Sequence, residues 1–137
     1  IIAIGAGISD GLKLGENSKA GLITRGIAEL SQIIHASGGK KETAFGLAGI
    51  GDITLSCSTP HSRNMKFGIS FVSSENTNSQ DLVEGLSALV SAKNLSKTLL
   101  LDTPIINSIN DIINNKKEVK KVIFELLNRP VKTEFFQ

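Results

Sequence analysis

Apolar residues in the first third of the chain recur at the spacing of an α-helix. The positions that share this face are Ile23, Ile27, Leu30 and Ile34. Their intervals of four, three and four residues place them on one side of a helix. Asn17 or Ser18 can cap the start of this helix, and Gly38 and Gly39 form a strong signal for its end.

Residues 1–14 combine aliphatic side chains with Gly5, Gly7 and Gly11. This composition resembles the glycine loop of a dinucleotide-binding fold, but one residue too many separates Gly7 from Gly11. The fold would also require a second strand ending in an acid, whereas Glu29 lies inside the next predicted helix. We therefore predict a buried helix over 1–14. Each interior glycine costs about 1 kcal/mol relative to alanine, so another element should pack very close to it.

The rest of the chain is predominantly helical in pattern. Helices are predicted over 41–47, 80–101, 104–113 and 117–127. Gly85 offers a possible break in the second of them, and Pro104 suits a first helical turn. The polar segment 73–79 is typical of a surface loop, and an extended tail is expected after residue 129. The predicted fold class is all-α.

One segment departs from the helical pattern. Residues 62–72 carry apolar side chains at every second position, which is the period of a β-strand. These positions are Met65, Phe67, Ile69 and Phe71. The alternation favours an extended segment here within an otherwise helical chain.

Composition narrows the class of protein. A chain of 137 residues with 40% hydrophobic content fits a single domain over 1–137. The net charge of +2 argues against a nucleic-acid or membrane-surface protein, and no apolar run approaches the roughly 18 residues of a membrane span. The charged residues of 116–121 fit a solvated helix face. Cys57, the single cysteine, forms no internal disulfide, which favours a reducing compartment and a cytoplasmic location.

Residues 46–68 carry the candidate chemistry. Glycine-rich backbone here surrounds an acid, several hydroxyls and an Arg-Asn pair, a composition that suits an anion site. The candidate ligand contacts are Asp52, Ser62, Arg63 and Asn64. Arginine matches phosphate oxygens in bidentate geometry, and a helix starting at this point adds backbone N–H donors. Asp52 as a turn or cap residue and Ser62 as a helix cap remain open alternatives.

Other polar residues have plainer interpretations. His35 is expected at the surface near a helix end, and Cys57 as a small buried thiol. His61 is expected in a loop, and neither histidine has partners at metal-ligand spacing, so no metal site is predicted. Arg25 and Glu29 lie one turn apart and fit a solvated ion pair. The glycine at position 26 suggests a close helix crossing as the alternative.

Three blocks of sequence resemble one enzyme family in order and spacing. They are GISDGLKLGENSKAGLITRGIAEL, GLAGIGDITLSCSTPHSRNMKFG and LVEG at 82–85. Together they resemble the C-terminal domain of bacterial-type NAD(P)-dependent glycerol-3-phosphate dehydrogenase, up to about residue 129. The resemblance implies a helical substrate domain similar to that of 6-phosphogluconate dehydrogenase. Such a domain packs against an N-terminal Rossmann domain, with the active site between the two.

The resemblance also implies roles for individual residues. Asp52 would contact the glycerol moiety of the substrate and order a catalytic lysine. Ser62, Arg63 and Asn64 would hold the substrate, which is dihydroxyacetone phosphate or sn-glycerol 3-phosphate. Arg63, Leu82 and Glu84 would face the cofactor, NAD(P)H. The implied pathway is phospholipid synthesis, in a protein that forms a possible homodimer.

The same resemblance places the proton donor outside the chain. In the family, a Lys-Asn pair directly precedes the segment that here begins at Ile1, and that lysine is the general acid. We therefore expect a fragment of a longer two-domain enzyme that is inactive alone, because it lacks the hydride-carrier platform and the proton donor. Two alternatives stay open: a non-catalytic helical interaction module that dimerises, and a domain of a related 2-hydroxy acid dehydrogenase.

Overall fold

The computed structural model describes residues 1–59, 62–73, 79–114 and 117–130, without the side chains at 79 and 81–83. Every regular element in these ranges is helical, which confirms the all-α class. The α-helices are α1 (Ile2–Gly11), α2 (Glu16–Ala36), α3 (Asp52–Ser58), α4 (Arg63–Val72), α5 (Ser79–Thr98), α6 (Pro104–Ile113) and α7 (Val119–Leu127). A 3₁₀-helix at Lys41–Phe45 and a π-helical turn at Leu47–Gly51 connect α2 to α3.

Helix α1 lies in the centre of the domain. All residues from position 3 to position 9 are buried, as expected of a helix that is apolar on every side. The predicted buried helix is therefore confirmed, although it ends at Gly11 rather than near residue 14.

Glycines bring the backbones of α1 and α4 together. A Cβ on Gly7 would lie 3.0 Å from the Ile69 nitrogen and still closer to the Met65 carbonyl oxygen. On the other helix, a Cβ on Gly68 would lie 2.8 Å from the Ile8 nitrogen. Neither approach leaves room for a side chain, which explains why α1 tolerates residues that weaken a helix.

The extended segment predicted over 62–72 is wrong, because these residues form α4. The face of α4 toward α1 is formed by positions 65, 68, 69 and 72, which have helical spacing. Gly68 belongs to this face but has no side chain, so hydropathy alone does not reveal it. Phe67 and Phe71 alternate in sequence, yet they lie one helical turn apart, with ring centroids separated by 6.0 Å.

Helix α2 begins and ends at glycines. Gly15, with φ of 92°, is its N-cap, so the predicted cap at Asn17 or Ser18 is wrong. At the other end Gly38 also has φ of 92°, and the Gly39 N–H donates to the Ile34 carbonyl at 2.8 Å. This pattern is a Schellman motif, which confirms the predicted stop.

The predicted apolar face of α2 is only partly correct. Ile27 is buried, whereas Ile23, Leu30 and Ile34 are half-buried. The fully buried positions of this helix are Leu22, Gly26, Ile27, Glu29 and Ser31. The core face is therefore rotated from the predicted stripe and includes a glutamate.

Helices α5, α6 and α7 complete the core around α1. Helix α5 runs through Gly85 without a break and stops at Thr98, three residues before its predicted end. Helix α6 has the predicted bounds, and α7 begins two residues later than predicted. The principal core residues are Ile4, Ile8, Leu22, Phe67, Leu89, Ile105, Ile109, Ile112, Val122, Ile123 and Leu126. Most of the predicted 73–79 loop and the predicted tail lie outside the described residues.

Candidate active-site cleft

A cleft of about 380 Å³ opens between the N-terminal half of the domain and helices α5 and α6. Its lining is mainly aliphatic, as in many small-molecule sites. The polar side chains that line it belong to Glu29, Asp52, Ser56 and Asn64. The cleft thus contains two of the predicted substrate contacts, Asp52 and Asn64.

The glycine-rich segment turns sharply before it presents Asp52. A Cβ on Gly49 would lie 2.8 Å from the Cα of Ala44, and closer still to its carbonyl group, so the π-helical turn packs directly on the 3₁₀-helix. Gly51 is the N-cap of α3 and Asp52 its first residue, with an exposed side chain. The alternative that Asp52 caps this helix is therefore wrong.

Ser62 and Asn64 lie at the start of α4. The Ser62 hydroxyl accepts a hydrogen bond from the Met65 N–H at 3.4 Å and is the N-cap, so its alternative as a helix cap is confirmed. Asn64 faces the cleft. Ser62 is not among the residues that line it, and its substrate contact stays a prediction.

Arg63 lies next to the predicted cofactor contact on α5. Its Nη1 is 3.6 Å from a carboxylate oxygen of Glu84, and the two side chains are 76% and 54% exposed. Exposed pairs of this kind contribute little to stability, so the guanidinium can exchange this partner for an anionic ligand. Leu82 lies on the same helix, but its side chain is outside the described residues, as is all of His61.

The solvated pair predicted for Arg25 and Glu29 is wrong. Glu29 is 6% exposed, and its two carboxylate oxygens accept hydrogen bonds from the backbone N–H groups of Ile105 and Ile106. The Arg25 guanidinium instead donates to the carbonyl oxygen of Leu127 at 3.3 Å, and to that of residue 129 at 2.8 Å. Both side chains therefore join distant parts of the chain.

The alternative, a close helix crossing at position 26, is confirmed. A Cβ on Gly26 would lie 2.7 Å from Cγ1 of Ile2, so the absence of a side chain lets α1 pack on α2 beside the cleft. Gly26 and Glu29 are three residues apart on α2, and both are buried. The glycine was therefore the signal in the sequence that could have indicated a buried Glu29.

Burial dominates the titration of Glu29. Loss of hydration raises the pKa of its carboxyl to about 7, although the N–H donors of Ile105 and Ile106 favour the ionised form. The Asp102 carboxylate raises the pKa further, and the Arg129 guanidinium lowers it. A carboxyl group that titrates near neutrality is therefore part of the cleft.

The remaining polar predictions concern Cys57 and His35. Cys57 is a buried thiol whose pKa is raised by burial, and His35 is exposed at the end of α2; both outcomes match the predictions. Within the described ranges, no cluster of three His, Cys, Asp or Glu side chains could hold a metal ion. None of the described helices is long and apolar enough to cross a membrane.

The helical fold is similar to that of part of a dehydrogenase of known structure. Glycerol-3-phosphate dehydrogenase from Coxiella burnetii superposes on this chain with a TM-score of 0.84 and 35% sequence identity, covering 93% of this chain and 41% of that one. The chain belongs to the family "NAD-dependent glycerol-3-phosphate dehydrogenase C-terminus", whose model matches residues 1–124. The resemblance inferred from the three sequence blocks is confirmed.

Similar proteins occur in several bacteria, and each is much longer than this chain. Glycerol-3-phosphate dehydrogenase [NAD(P)+] from Acholeplasma laidlawii is 42% identical over 138 residues. The proteins of the same name from Clostridium botulinum and Agrobacterium fabrum are 40% and 39% identical. The chain spans 41–43% of the length of these three relatives.

Proposed function

We propose that this chain forms the substrate-binding half of an NAD(P)-dependent glycerol-3-phosphate dehydrogenase. The enzyme interconverts dihydroxyacetone phosphate and sn-glycerol 3-phosphate, and a separate Rossmann domain holds most of the cofactor. The observation that carries the proposal is a family match over residues 1–124, joined to a cleft whose polar edge is formed by Asp52 and Asn64. In this function the enzyme supplies a phospholipid precursor in the cytoplasm.

The start of α4 is the proposed phosphate site. The exposed guanidinium of Arg63 supplies a fixed cation, and Asn64 supplies an amide donor from the same helical turn. The first turn of a helix also has unpaired N–H groups and a favourable dipole for an anion. Holding this remote phosphate positions the substrate carbon that exchanges hydride.

Asp52 is proposed to orient the reacting end of the substrate. Its carboxylate oxygens are suited to accept a hydrogen bond from the glycerol hydroxyl or to pair with a cation. When bound, NAD(P)H would supply hydride to the substrate carbonyl carbon, whose oxygen would then take up a proton. We propose that this proton comes from the lysine that acts as general acid in the family.

The cofactor contact is proposed at the junction of α4 and α5. Arg63 and Glu84 already lie side by side here, and Leu82 is on the same helix two positions earlier. An ion pair that exchanges its partner when ligands bind can link occupancy of the phosphate site to occupancy of the cofactor site. Formation of a homodimer remains a separate prediction.

Substrate choice tests the proposal. Residues 1–137 should be joined to the N-terminal part of the Acholeplasma laidlawii relative, and the chimera assayed for NAD(P)H oxidation. We expect activity with dihydroxyacetone phosphate at least a hundredfold above that with a 2-oxo acid, because a charge-assisted phosphate clamp contributes at least about 3 kcal/mol. A preference for the 2-oxo acid would favour the related 2-hydroxy acid dehydrogenase. A folded chimera without either activity would favour the interaction module.

A further inference from the structure

Glu29 is a buried acid in the cleft that the proposed substrate contacts do not use. It is on α2 and lines the same cavity as Asp52 and Asn64. Burying a carboxyl group in a mainly apolar site is unfavourable unless specific partners compensate for lost hydration. The partners of Glu29 therefore indicate what the residue does.

Those partners are the first free N–H groups of α6. The Ile105 N–H donates to Oε1 of Glu29, and the Ile106 N–H donates to Oε2 at 3.2 Å. Helix α6 starts at Pro104, which has no N–H, and its N-cap Thr103 makes no side-chain capping bond. Glu29 thus caps α6 from a different helix, where a negative charge also matches the helix dipole.

The capped residues form one wall of the cleft. Ile105 and Ile106 line it, so the residues whose N–H groups bind Glu29 also face the ligand space. An ionised carboxylate accepts both hydrogen bonds, whereas a protonated carboxyl presents an O–H to one N–H and loses one of them. The position of this wall therefore depends on the ionisation of Glu29.

We propose that Glu29 is a positioning residue for the reaction at this cleft. Its carboxylate holds the first turn of α6 so that Ile105 and Ile106 form the apolar surface on which the substrate is bound. The proposal rests on the dehydrogenase function proposed above. Loss of the second hydrogen bond on protonation loosens this surface and weakens substrate binding.

Several charged and titratable groups surround the carboxyl. Asp102 precedes α6 and Arg129 follows α7, and the two form a salt bridge of 3.2 Å. Helix α3 contributes two more titratable residues, Asp52 and Cys57, to the lining of the same cleft. With the pKa of Glu29 raised to about 7 by burial, its ionisation changes within the pH range in which the enzyme can be assayed.

The kinetic test uses Glu29→Gln in the two-domain chimera. Glutamine keeps the size of the side chain but does not ionise, and its NH₂ group faces one of the two N–H donors. At about pH 8 we expect the KM for dihydroxyacetone phosphate to rise about tenfold, with kcat changed less than about threefold. At about pH 6, where wild-type Glu29 is mostly protonated, the ratio of the two KM values should fall below about two.

Two control variants separate positioning from stability. Glu125→Gln removes an exposed carboxylate on α7, and Ile109→Val removes a buried methyl group from α6 outside the cleft. Both should leave the KM ratio near one at every pH. The substrate phosphate also titrates near pH 6, which changes the KM of every variant with pH. The control variants show this change alone, so it can be separated from the effect of Glu29. A KM ratio for Glu29→Gln that does not change with pH would overturn the proposal.

A second measurement needs neither activity nor the Glu29 variant. In the ¹⁵N-labelled 137-residue chain, the amide signals of Ile105 and Ile106 should shift with pH around a midpoint of about 7. Amide signals that do not titrate would show that Glu29 does not clamp α6. This result is independent of the substrate, so it distinguishes failure of the clamp from failure of the proposed function.

A third variant covers the case in which Glu29→Gln does not fold. Ile106→Val trims the wall itself and leaves the carboxylate in place. We expect its KM to rise about threefold, equally across the pH range, because the lost methyl group contacts the ligand directly. An unchanged KM would show that the wall does not bind the substrate, and would overturn the proposal.

Discussion

The side chain of Arg63 is exposed, whereas its backbone is held in place at the start of a helix. Ser62 caps α4 immediately before it, so the backbone of Arg63 is held at a helix start while three quarters of its side chain faces solvent. Glu84, its ion-pair partner, is also exposed, which makes the pair easy to separate. These features suit a side chain that binds a mobile anion.

Replacing Arg63 by alanine tests that role. In the two-domain chimera, Arg63→Ala should lower kcat/KM for dihydroxyacetone phosphate about a thousandfold, because several kcal/mol of charge-assisted binding is lost at about 1.4 kcal/mol per tenfold. Lys66→Ala is the matched control, since it removes an exposed cation one turn further along α4. Equal effects of the two substitutions would indicate general electrostatic attraction, and a near-normal Arg63→Ala enzyme would remove Arg63 from the site.

Single residues were predictable where their role is local. The Ser62 cap and the burial of Cys57 follow from residue type and neighbours. Glu29 was misassigned because its hydrogen-bond partners lie 76 and 77 positions away. The spacing in the sequence shows only that Arg25 is one turn from Glu29. This spacing does not distinguish a buried helix face from a solvated one.

Among the helices, the close crossing of α1 and α4 depends on glycines, which have no side chain to keep the two backbones apart. Gly7 on one helix and Gly68 on the other each face backbone atoms of the opposite helix. Backbone cannot move aside as the end of a flexible side chain can. The α4 helix start, with Ser62, Arg63 and Asn64, is therefore placed by this glycine contact.

Gly68→Ala should separate these helices. We expect the free energy of unfolding of the chain to fall by about 3 kcal/mol, as in other overpacked cores, measured by urea denaturation. Gly21→Ala is the control, because its Cβ would meet only Cδ2 of Leu127 at an ordinary 3.6 Å. This control should gain up to about 1 kcal/mol of helix propensity. Similar stabilities for the two variants would contradict the close crossing.

Two element boundaries were predictable from glycine and proline, although the start of α2 at Gly15 was not. The Gly38–Gly39 stop of α2 and the start of α6 at Pro104 agree with the structure. Helix α4 was misread because hydropathy shows only the residues that have side chains. The contact at Gly68 is a property of two helices, and no window of sequence on one helix contains it.

For the whole molecule, the buried carboxyl of Glu29 makes stability depend on pH. Its pKa is raised from 4.5 to about 7 in the folded protein, so between these values the folded state binds more protons than the unfolded state. The stability that this group contributes is fully present below about pH 4.5, and is lost as the pH rises through about 7.

The pH dependence can be measured by denaturing wild type and Glu29→Gln across this range. From about pH 4.5 to about pH 7.5, the wild-type free energy of unfolding should fall by up to about 3 kcal/mol relative to the variant, at 1.36 kcal/mol per pKa unit. Parallel curves for the two proteins would show that Glu29 is not buried in the way described. Above about pH 7.5 the difference should be constant.

The global fold class and the family followed from the sequence, because helical spacing and the blocks around Gly51, Asp52 and Arg63 are both local signals. The cleft could not be predicted from the sequence, because the residues that line it come from six helices that meet only after folding. Asp52 and Asn64, two of the candidate ligand contacts, line the same cavity. Ser56 and Glu29 join them there for reasons of packing.

A crystal structure of the two-domain chimera with sn-glycerol 3-phosphate and NAD⁺ would show whether the start of α4 binds the substrate phosphate. We expect the phosphate within about 3 Å of the Arg63 guanidinium and the Asn64 amide, with the glycerol hydroxyls beside Asp52 in the cleft. A substrate bound away from α4, with Arg63 still paired to Glu84, would contradict this expectation.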